Sequence, residues 1–392
     1  MKRGSEMQRV LEDNILGFWS SRMVDTKHGG FYGRIDGQGR LIPEAPKGAV
    51  LNARILWAFS AAYRVLGKEE YKNMALRAKD YIFAHFIDSE HGGVYWMLDH
   101  EGHPLDTKKQ TYAQGFMIYG LSELFRATGD EDALRLAVQL FEDMERYAFD
   151  SEGNGYIEAL SREWSPLADM RLSEKDENGS RTMNTHLHIL EPYTNLYRVW
   201  KDQRLRSQLR NLVTIFTEKI LNPATGHLDL FFDDHWHSPR DKVSYGHDIE
   251  AAWLLTEALD VLGDEALTAQ TLPLIPRIAH AAEEGLMSDG SMAYEGGDEE
   301  RHWWVQCECI IGELFLWQRF GDASALDRAR RCWDFVRQRL IDWQGGEWFW
   351  SIGADDAPNL TDDKAGPWKC PYHNSRMCLN VISICAGSPL ML

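Results

Sequence analysis

Apolar and polar positions alternate along the chain in a helical rhythm of two kinds. In residues 70–86, Met74, Ala75, Ala78, Tyr81, Ile82 and Phe86 fall on one stripe, the 3.6-residue period of a helix with a single buried face. Residues 324–339 repeat the habit. The segments 50–65, 111–126, 183–200, 247–262 and 304–319 are apolar on more than one side and rich in small residues, as suits helices covered all round by other helices. Between them recurs a short phrase of Gly and aromatic residues: HGGFYG at 28–33, HGGVYW at 91–96, GNGYIE at 153–158, TGHLDLFF at 225–232, GSMAYE at 290–295 and GGEWFW at 345–350. Counted from Gly30, Gly93, Gly155, Gly226, Gly290 and Gly346, the steps are 63, 62, 71, 64 and 56 residues. A second marker, a helix stop followed by an acidic restart, reads LGKEEY from Leu66, TGDEDAL from Thr128, LGDEAL from Leu262 and FGDASAL from Phe320. WKDQRL from Trp200 fills the gap in that series without its Gly.

This repeat predicts an all-α protein of about twelve helices, alternately outer and inner, with short β-hairpins in the loops. The architecture that follows is an (α/α)6 barrel. A helical-repeat solenoid competes with it, because periodicity alone does not close a ring. No βαβ alternation and no GxGxxG occurs, which argues against a nicotinamide-binding doubly wound sheet. No Pro- or Ser-rich linker divides the chain, so residues 1–392 are expected to form one catalytic domain.

Charge and cysteine usage narrow the setting. Lys and Arg number 42 against 60 Asp and Glu, a formal net charge of −18, which speaks against a general nucleic-acid binder and against a polybasic membrane anchor. The six cysteines, Cys307, Cys309, Cys332, Cys370, Cys378 and Cys385, crowd the last quarter of the chain without a CxxC pair, so reduced thiols in a cytoplasm are expected. The first residues carry no apolar signal core, and no run of about 18 apolar residues occurs. The expectation is a cytoplasmic monomer or weak homodimer without a membrane partner.

Each inner segment carries polar groups near its beginning: Arg54; Gln110, Tyr112 and Gln114; Asn184, His186 and His188; His247 and Glu250; Gln306 and Glu308; His373 and Asn374. If the inner helices run parallel, these groups gather at one end of the barrel, beside positive helix N-termini. Asn184, His188 and Glu191 share a helical face, while His186 points elsewhere; a satisfied buried imidazole is the plainer reading of His186. The spacing of His186 and His188 is a poor chelate on a helix, and HExxH is absent. His247 and Glu250 stand one turn apart in an apolar run, where a carboxylate can hold an imidazole's tautomer. His373 follows a loop stiffened by Pro367 and Pro371, and Asn374 suits a helix cap. Arg54 enters a fully apolar helix, where a guanidinium needs an anion or several acceptors. Trp303, Trp304 and Trp368 offer stacking faces for sugars, and Cys370 reads as a structural thiol.

Two imidazoles with one arginine suit proton abstraction beside a carbonyl. In an open-chain aldose, a neutral His removes the C2 proton, a protonated His returns one, and Arg54 steadies the enediolate. Return to the opposite face inverts C2; transfer to C1 gives aldose–ketose isomerisation. The residues alone leave both open.

The phrases NTHLHILEPYTNLYRVW, SYGHDIEAAWLL, WWVQCE and WKCPYHNSRMCL, supported by KGAVLNARILWAFSAAYR and QTYAQGFMIYGLSE, resemble the cellobiose 2-epimerases of the N-acylglucosamine 2-epimerase superfamily over nearly the whole chain. The resemblance implies an (α/α)6 barrel and epimerisation at C2 of the reducing-end glucose of β-1,4-linked disaccharides, without a metal or nucleotide cofactor. It implies that His247 and His373 form the acid/base pair, Arg54 steadies the enediolate, Glu250 supports His247, and His188 assists ring opening or holds the sugar. Tyr112, Asn184, Trp304, Glu308 and Trp368 match binding positions. The chain departs at Pro192, which should bend its helix near His188, at Asn380, and at Cys307 and Cys309. Monosaccharide 2-epimerisation or aldose–ketose isomerisation is the nearest alternative. A glycoside hydrolase with two opposed carboxylates drawn from Glu191, Asp248, Glu250 and Glu308, or a non-catalytic binding protein, is more distant.

Overall fold

The structure, a computed structural model, describes residues 2–387 save 175, 240 and 241. Its helices fall in twelve groups. We number them α1 (2–22), α2 (Ala49–Leu66), α3 (69–86), α4 (Thr111–Thr128), α5 (131–148), α6 (Met183–Val199), α7 (203–220), α8 (Tyr245–Leu262), α9 (265–282), α10 (Trp303–Phe320), α11 (323–340) and α12 (His373–Cys385). The even-numbered helices are buried on nearly all sides, as their small-residue composition predicts. Each packs on the next, α2 on α4 through to α10 on α12, and α12 returns to α2, so the ring is closed. The odd-numbered helices lie outside, each against its inner neighbour. This is the (α/α)6 arrangement, and ring closure removes the solenoid alternative. No helix among the described residues is long and apolar enough to cross a membrane.

Local chemistry sets the boundaries. Gly67, Gly129, Gly263 and Gly321 end four inner helices in the left-handed conformation, and Asp130, Asp202, Asp264 and Asp322 accept amides at the starts of the following outer helices. Five outer helices widen to π-type turns, at 10–16, 82–86, 144–148, 216–220 and 336–340. The Gly-aromatic phrases then turn back as tight antiparallel hairpins, pairing Val24 with Phe31, Ile87 with Val94, Leu221 with Leu228, Leu286 with Met292 and Ile341 with Trp348. Gly30 needs its missing side chain there: its φ is 60°, and a Cβ would lie 2.5 Å from the Tyr81 ring.

A second set of two-residue strands precedes the inner helices and links neighbouring repeats. Lys47–Gly48 pairs with Met97–Leu98, Lys109–Gln110 with Ala159–Leu160, Arg181–Thr182 with Phe231–Phe232, and Arg301–His302 with Ser351–Ile352. Each begins with a buried cation. Lys47 meets Asp25 at 2.8 Å, Lys109 meets Asp88 at 2.9 Å, Arg181 meets Asp150, and Arg301 meets Asp356 at 2.7 Å. Buried charges of this kind need their partners, so these pairs fix where each inner helix starts relative to its hairpin. All six cysteines are free; only Cys385 is exposed.

Candidate active site

Helix register decides which side chains reach the barrel's open end. The fourth residue of four inner helices clasps a hairpin backbone. Gln114 exchanges two bonds with Val94 (2.8 and 2.9 Å), Gln306 two with Met292 (both 2.8 Å), Asp248 accepts from the Leu228 amide (2.8 Å), and His186 accepts from the Tyr156 amide (3.0 Å). The other nitrogen of His186 faces the Thr182 carbonyl at 2.7 Å, so this imidazole is fully used in structure. The sixth residues, Arg54, Phe116, His188, Glu250 and Glu308, turn toward the barrel axis.

A cavity of about 850 Å³ opens at this end. Arg54, Tyr112, Asn184, His188, His247, Glu250, Trp304, Trp368 and His373 all line it. Glu308, expected at the substrate, lies behind His373 instead. Its Oε1 accepts from His373 Nδ1 at 2.7 Å and from Arg376 Nη2 at 2.7 Å, and its Oε2 accepts from Trp253 Nε1 at 3.1 Å. With Nδ1–H given to the carboxylate, Nε2 of His373 is left as the basic nitrogen of a cavity-lining ring. Burial, with Arg54 and Arg376 nearby, holds His373 well below the usual imidazole range, hence neutral.

His247 is supported differently from expectation. Its Nδ1 lies 2.7 Å from Ser244 Oγ, while Glu250 Oε1 accepts from Arg376 Nη2 at 2.6 Å. The reason is register: Ser244 sits just before α8, one turn back from His247, whereas Glu250 points inward at the axial guanidinium. Glu250 Oε2 is buried without a partner, and burial followed by the nearby Glu308 pushes this carboxyl well above the ordinary range. Burial, then His188, drives His247 down to about 3. Both imidazoles neighbour the Trp304 ring, at centroid distances of 4.6 Å for His247 and 5.7 Å for His373.

His188 occupies a break in its helix. Its backbone (φ −89°, ψ 15°) leaves the helical region four residues before Pro192, whose missing N–H cannot bond the 188 carbonyl. Gly115 fits against that carbonyl; a Cβ there would lie 2.5 Å from it. The His188 ring packs on Tyr112 and Phe116, and its Nδ1 lies 3.1 Å from Glu191 Oε2. Burial lowers its basicity.

Arg54 has no carboxylate partner among the described residues. Nη2 donates to Tyr112 Oη at 2.8 Å, Nη1 reaches Cys370 Sγ at 3.6 Å, Nε has no acceptor, and the guanidinium lies 4.1 Å from the Phe116 centroid. A fixed cation facing a cavity in this state is suited to an anionic intermediate. Asn184 Oδ1, also without a partner, is a second open polar atom. Cys370 is buried, which raises its thiol and fits a structural role. Asn374, expected to cap α12, instead donates to Glu347 at 2.9 Å.

Donor atoms of His188, His247 and Glu250 lie within 4.8 Å of one another, as do those of Glu250, Glu308 and His373. The second set already surrounds the Arg376 guanidinium, so its charge is met by an organic cation. The same guanidinium binds Glu191, Glu250 and Glu308, which gathers these three carboxylates around one cation rather than setting them on opposite sides of a bound sugar, as a glycosidase pair would be. Asp248, the fourth candidate, is bound to His227 at 2.7 Å.

The sequence pattern does not single out Arg376, Tyr372, Trp253 or Ser244. Only Ser244 carried a local signal, three residues before His247; the others meet their partners across the ring.

Fold and cavity together define an (α/α)6-barrel protein in which imidazoles and a buried guanidinium converge on one polar cavity. The chain belongs to the N-acylglucosamine 2-epimerase (GlcNAc 2-epimerase) family, whose sequence profile matches residues 30–376. It is 61% identical to a cellobiose 2-epimerase of Bacteroides fragilis over 383 residues, covering 96% of this chain and 98% of that one. It is 40% identical to a cellobiose 2-epimerase of Ruminococcus albus, covering 97% and 98%. The solved cellobiose 2-epimerase of Bacillus thermoamylovorans superposes with a TM-score of 0.93 at 42% identity, covering 98% of this chain and 99% of that one.

Proposed function

We propose that this protein interconverts the reducing-end glucose and mannose of β-1,4-linked disaccharides, cellobiose to 4-O-β-glucosyl-mannose, by proton exchange at C2. The observation that carries the mechanism is the convergence of two imidazoles and a carboxylate-free arginine on one cavity. His188, held by Glu191, assists opening of the sugar ring to the aldehyde. His373 or His247, both neutral at rest, takes the C2 proton; Arg54 steadies the enediolate, whose negative charge favours protonation of the other imidazole by solvent, and that imidazole gives its proton to the opposite face. Exchange with solvent resets the pair. Groups that stabilise such developing charge contribute about 3–4 kcal/mol each. Tyr112, Asn184, Trp304 and Trp368 hold the sugar. A cavity of about 850 Å³ lies near the top of the roughly 300–1,000 Å³ range of small-molecule sites, which favours two sugar rings over one. A cytoplasmic setting and a monomer or weak homodimer belong to the same reading.

Incubation with cellobiose in heavy water tests it. The expected product is glucosyl-mannose with deuterium at C2, and replacing His247 or His373 should abolish most turnover in a folded protein. Free glucose without a mannose-containing product, or near-normal rates in both variants, would refute it.

A further inference from the structure

Arg376 lies one turn beyond His373 on α12 and does not line the cavity. Its Nη1 donates to Glu191 and to Tyr372 Oη, and its Nη2 donates to Glu250 at 2.6 Å and Glu308 at 2.7 Å. The guanidinium is sandwiched between Trp253 and Tyr372, 4.6 and 4.4 Å from their centroids. Two of these carboxylates are the Nδ1 partners of cavity imidazoles: Glu191 of His188 at 3.1 Å, and Glu308 of His373 at 2.7 Å.

We propose that Arg376 is a positioning residue that joins the two His–Glu pairs into one unit, orienting His188 and His373 and coupling their charge states through a single guanidinium. This rests on the reading of both histidines as working groups of the site. A buried carboxylate stays anionic, and so stays a strong acceptor for an imidazole, only beside a cation that offers it hydrogen bonds. One planar fork reaches three carboxylates at once; a lysine ammonium has no such fork. All three carboxyls meet the guanidinium with one oxygen, but only Glu250 leaves its second oxygen without a partner, and it is the one that burial and Glu308 drive toward its neutral form. The two carboxylates that face imidazoles, Glu191 and Glu308, are the ones that share their hydrogen bonds between an imidazole and the guanidinium. When His373 gains a proton, Glu308 draws more strongly on it and less on the guanidinium, which is then freer to hold Glu191 and, through it, His188.

The test compares Arg376→Lys, Arg376→Met and Glu308→Gln with the parent chain. Two quantities are read: the kinetics on cellobiose, and the long-range 1H–15N signals of each imidazole between pH 5 and 9. In Arg376→Lys, kcat should fall roughly 10- to 100-fold, the scale typical of removing an outer partner of an active group, with KM within about threefold. The His188 and His373 signals should shift together and by more than those of His247, whose Nδ1 faces Ser244 and which meets the guanidinium's partners only through space. Arg376→Met should lose more. Glu308→Gln should move the His188 signals although Glu308 does not bond His188. Unmoved imidazole signals in Arg376→Lys, a shift confined to one histidine, or no response of His188 to Glu308→Gln would each overturn the proposal and leave Arg376 a brace between helices. If both Arg376 variants fail to fold, the Glu308→Gln arm decides, since that chain keeps the arginine. The imidazole signals are read whether or not cellobiose is turned over, so a failed substrate assignment would not be mistaken for a failed role of Arg376.

Discussion

Replacing Arg54 by Met separates catalysis from stability. Arg54 is buried, has no carboxylate partner among the described residues, and has an unpartnered Nε. Its neutral contacts are Tyr112, Cys370 and the faces of Phe116 and Tyr372. In the resting protein it is a desolvated charge met by neutral groups alone, so an apolar chain of similar volume should fold about as well; stability should be unchanged or rise by up to about 2 kcal/mol. Catalysis should move the other way. An enediolate oxygen about 4 Å from the guanidinium gains about 4 kcal/mol at an effective dielectric of 20, which corresponds to about a thousandfold in rate. The assay pairs initial rates of deuterium entry at C2 of cellobiose with equilibrium unfolding in urea. Arg54→Lys keeps the charge without the fork and should fall between parent and Arg54→Met in rate. A rate within tenfold of the parent for Arg54→Met would refute the role in charge stabilisation. A loss of more than about 2 kcal/mol in stability would refute the claim that the cation is held at a cost to folding.

Other outcomes follow from the same geometry. Glu308→Gln should lower kcat by about 100-fold or more with little change in KM, because the neutral amide cannot stabilise a protonated His373; steady-state kinetics on cellobiose measure this. Pro192→Ala restores an N–H to the 188 carbonyl, so the helix should straighten, moving His188 and lowering kcat/KM by about tenfold without loss of stability, read by kinetics and urea unfolding. Gly115→Ala should cost both activity and about 1–3 kcal/mol of stability, since its Cβ would press on the His188 carbonyl 2.5 Å away. Burial lowers His186 from 6.5 to about 4, so the unfolded chain binds a proton that the folded one refuses between those values, and this share of stability is lost as pH falls from 6.5 toward 4. His186→Gln, which can keep both hydrogen bonds, should flatten that dependence by up to about 1.4 kcal/mol per pH unit in urea titrations.

Much of the barrel was legible in the chain because its signals are local. The one-sided stripe of 70–86, the small-residue run after Arg54, the Gly stops at 67, 129, 263 and 321, and the hairpin phrases each act within a few residues of themselves. The cluster of polar residues near the inner helix starts was legible for the same reason, and nine of ten chosen side chains meet in one cavity. Even the break at His188 follows from Pro192, four positions on.

Pairing was beyond sequence alone, because it depends on which side of each inner helix faces the axis and on contacts made only when the ring closes. His373 finds Glu308 65 residues away, and Arg376 reaches Glu191 across 185. Ser244 and Glu250 stand equally one turn from His247; the inward tilt of the Glu250 side chain, toward the axial guanidinium, left the serine as its partner. The amino-acid order thus determined what kinds of groups line the barrel end, since helical period is a property of neighbours. Tertiary packing decided which nitrogen each imidazole presents to the cavity and which carboxyl stands behind it, since those depend on helices brought together from opposite sides of the ring.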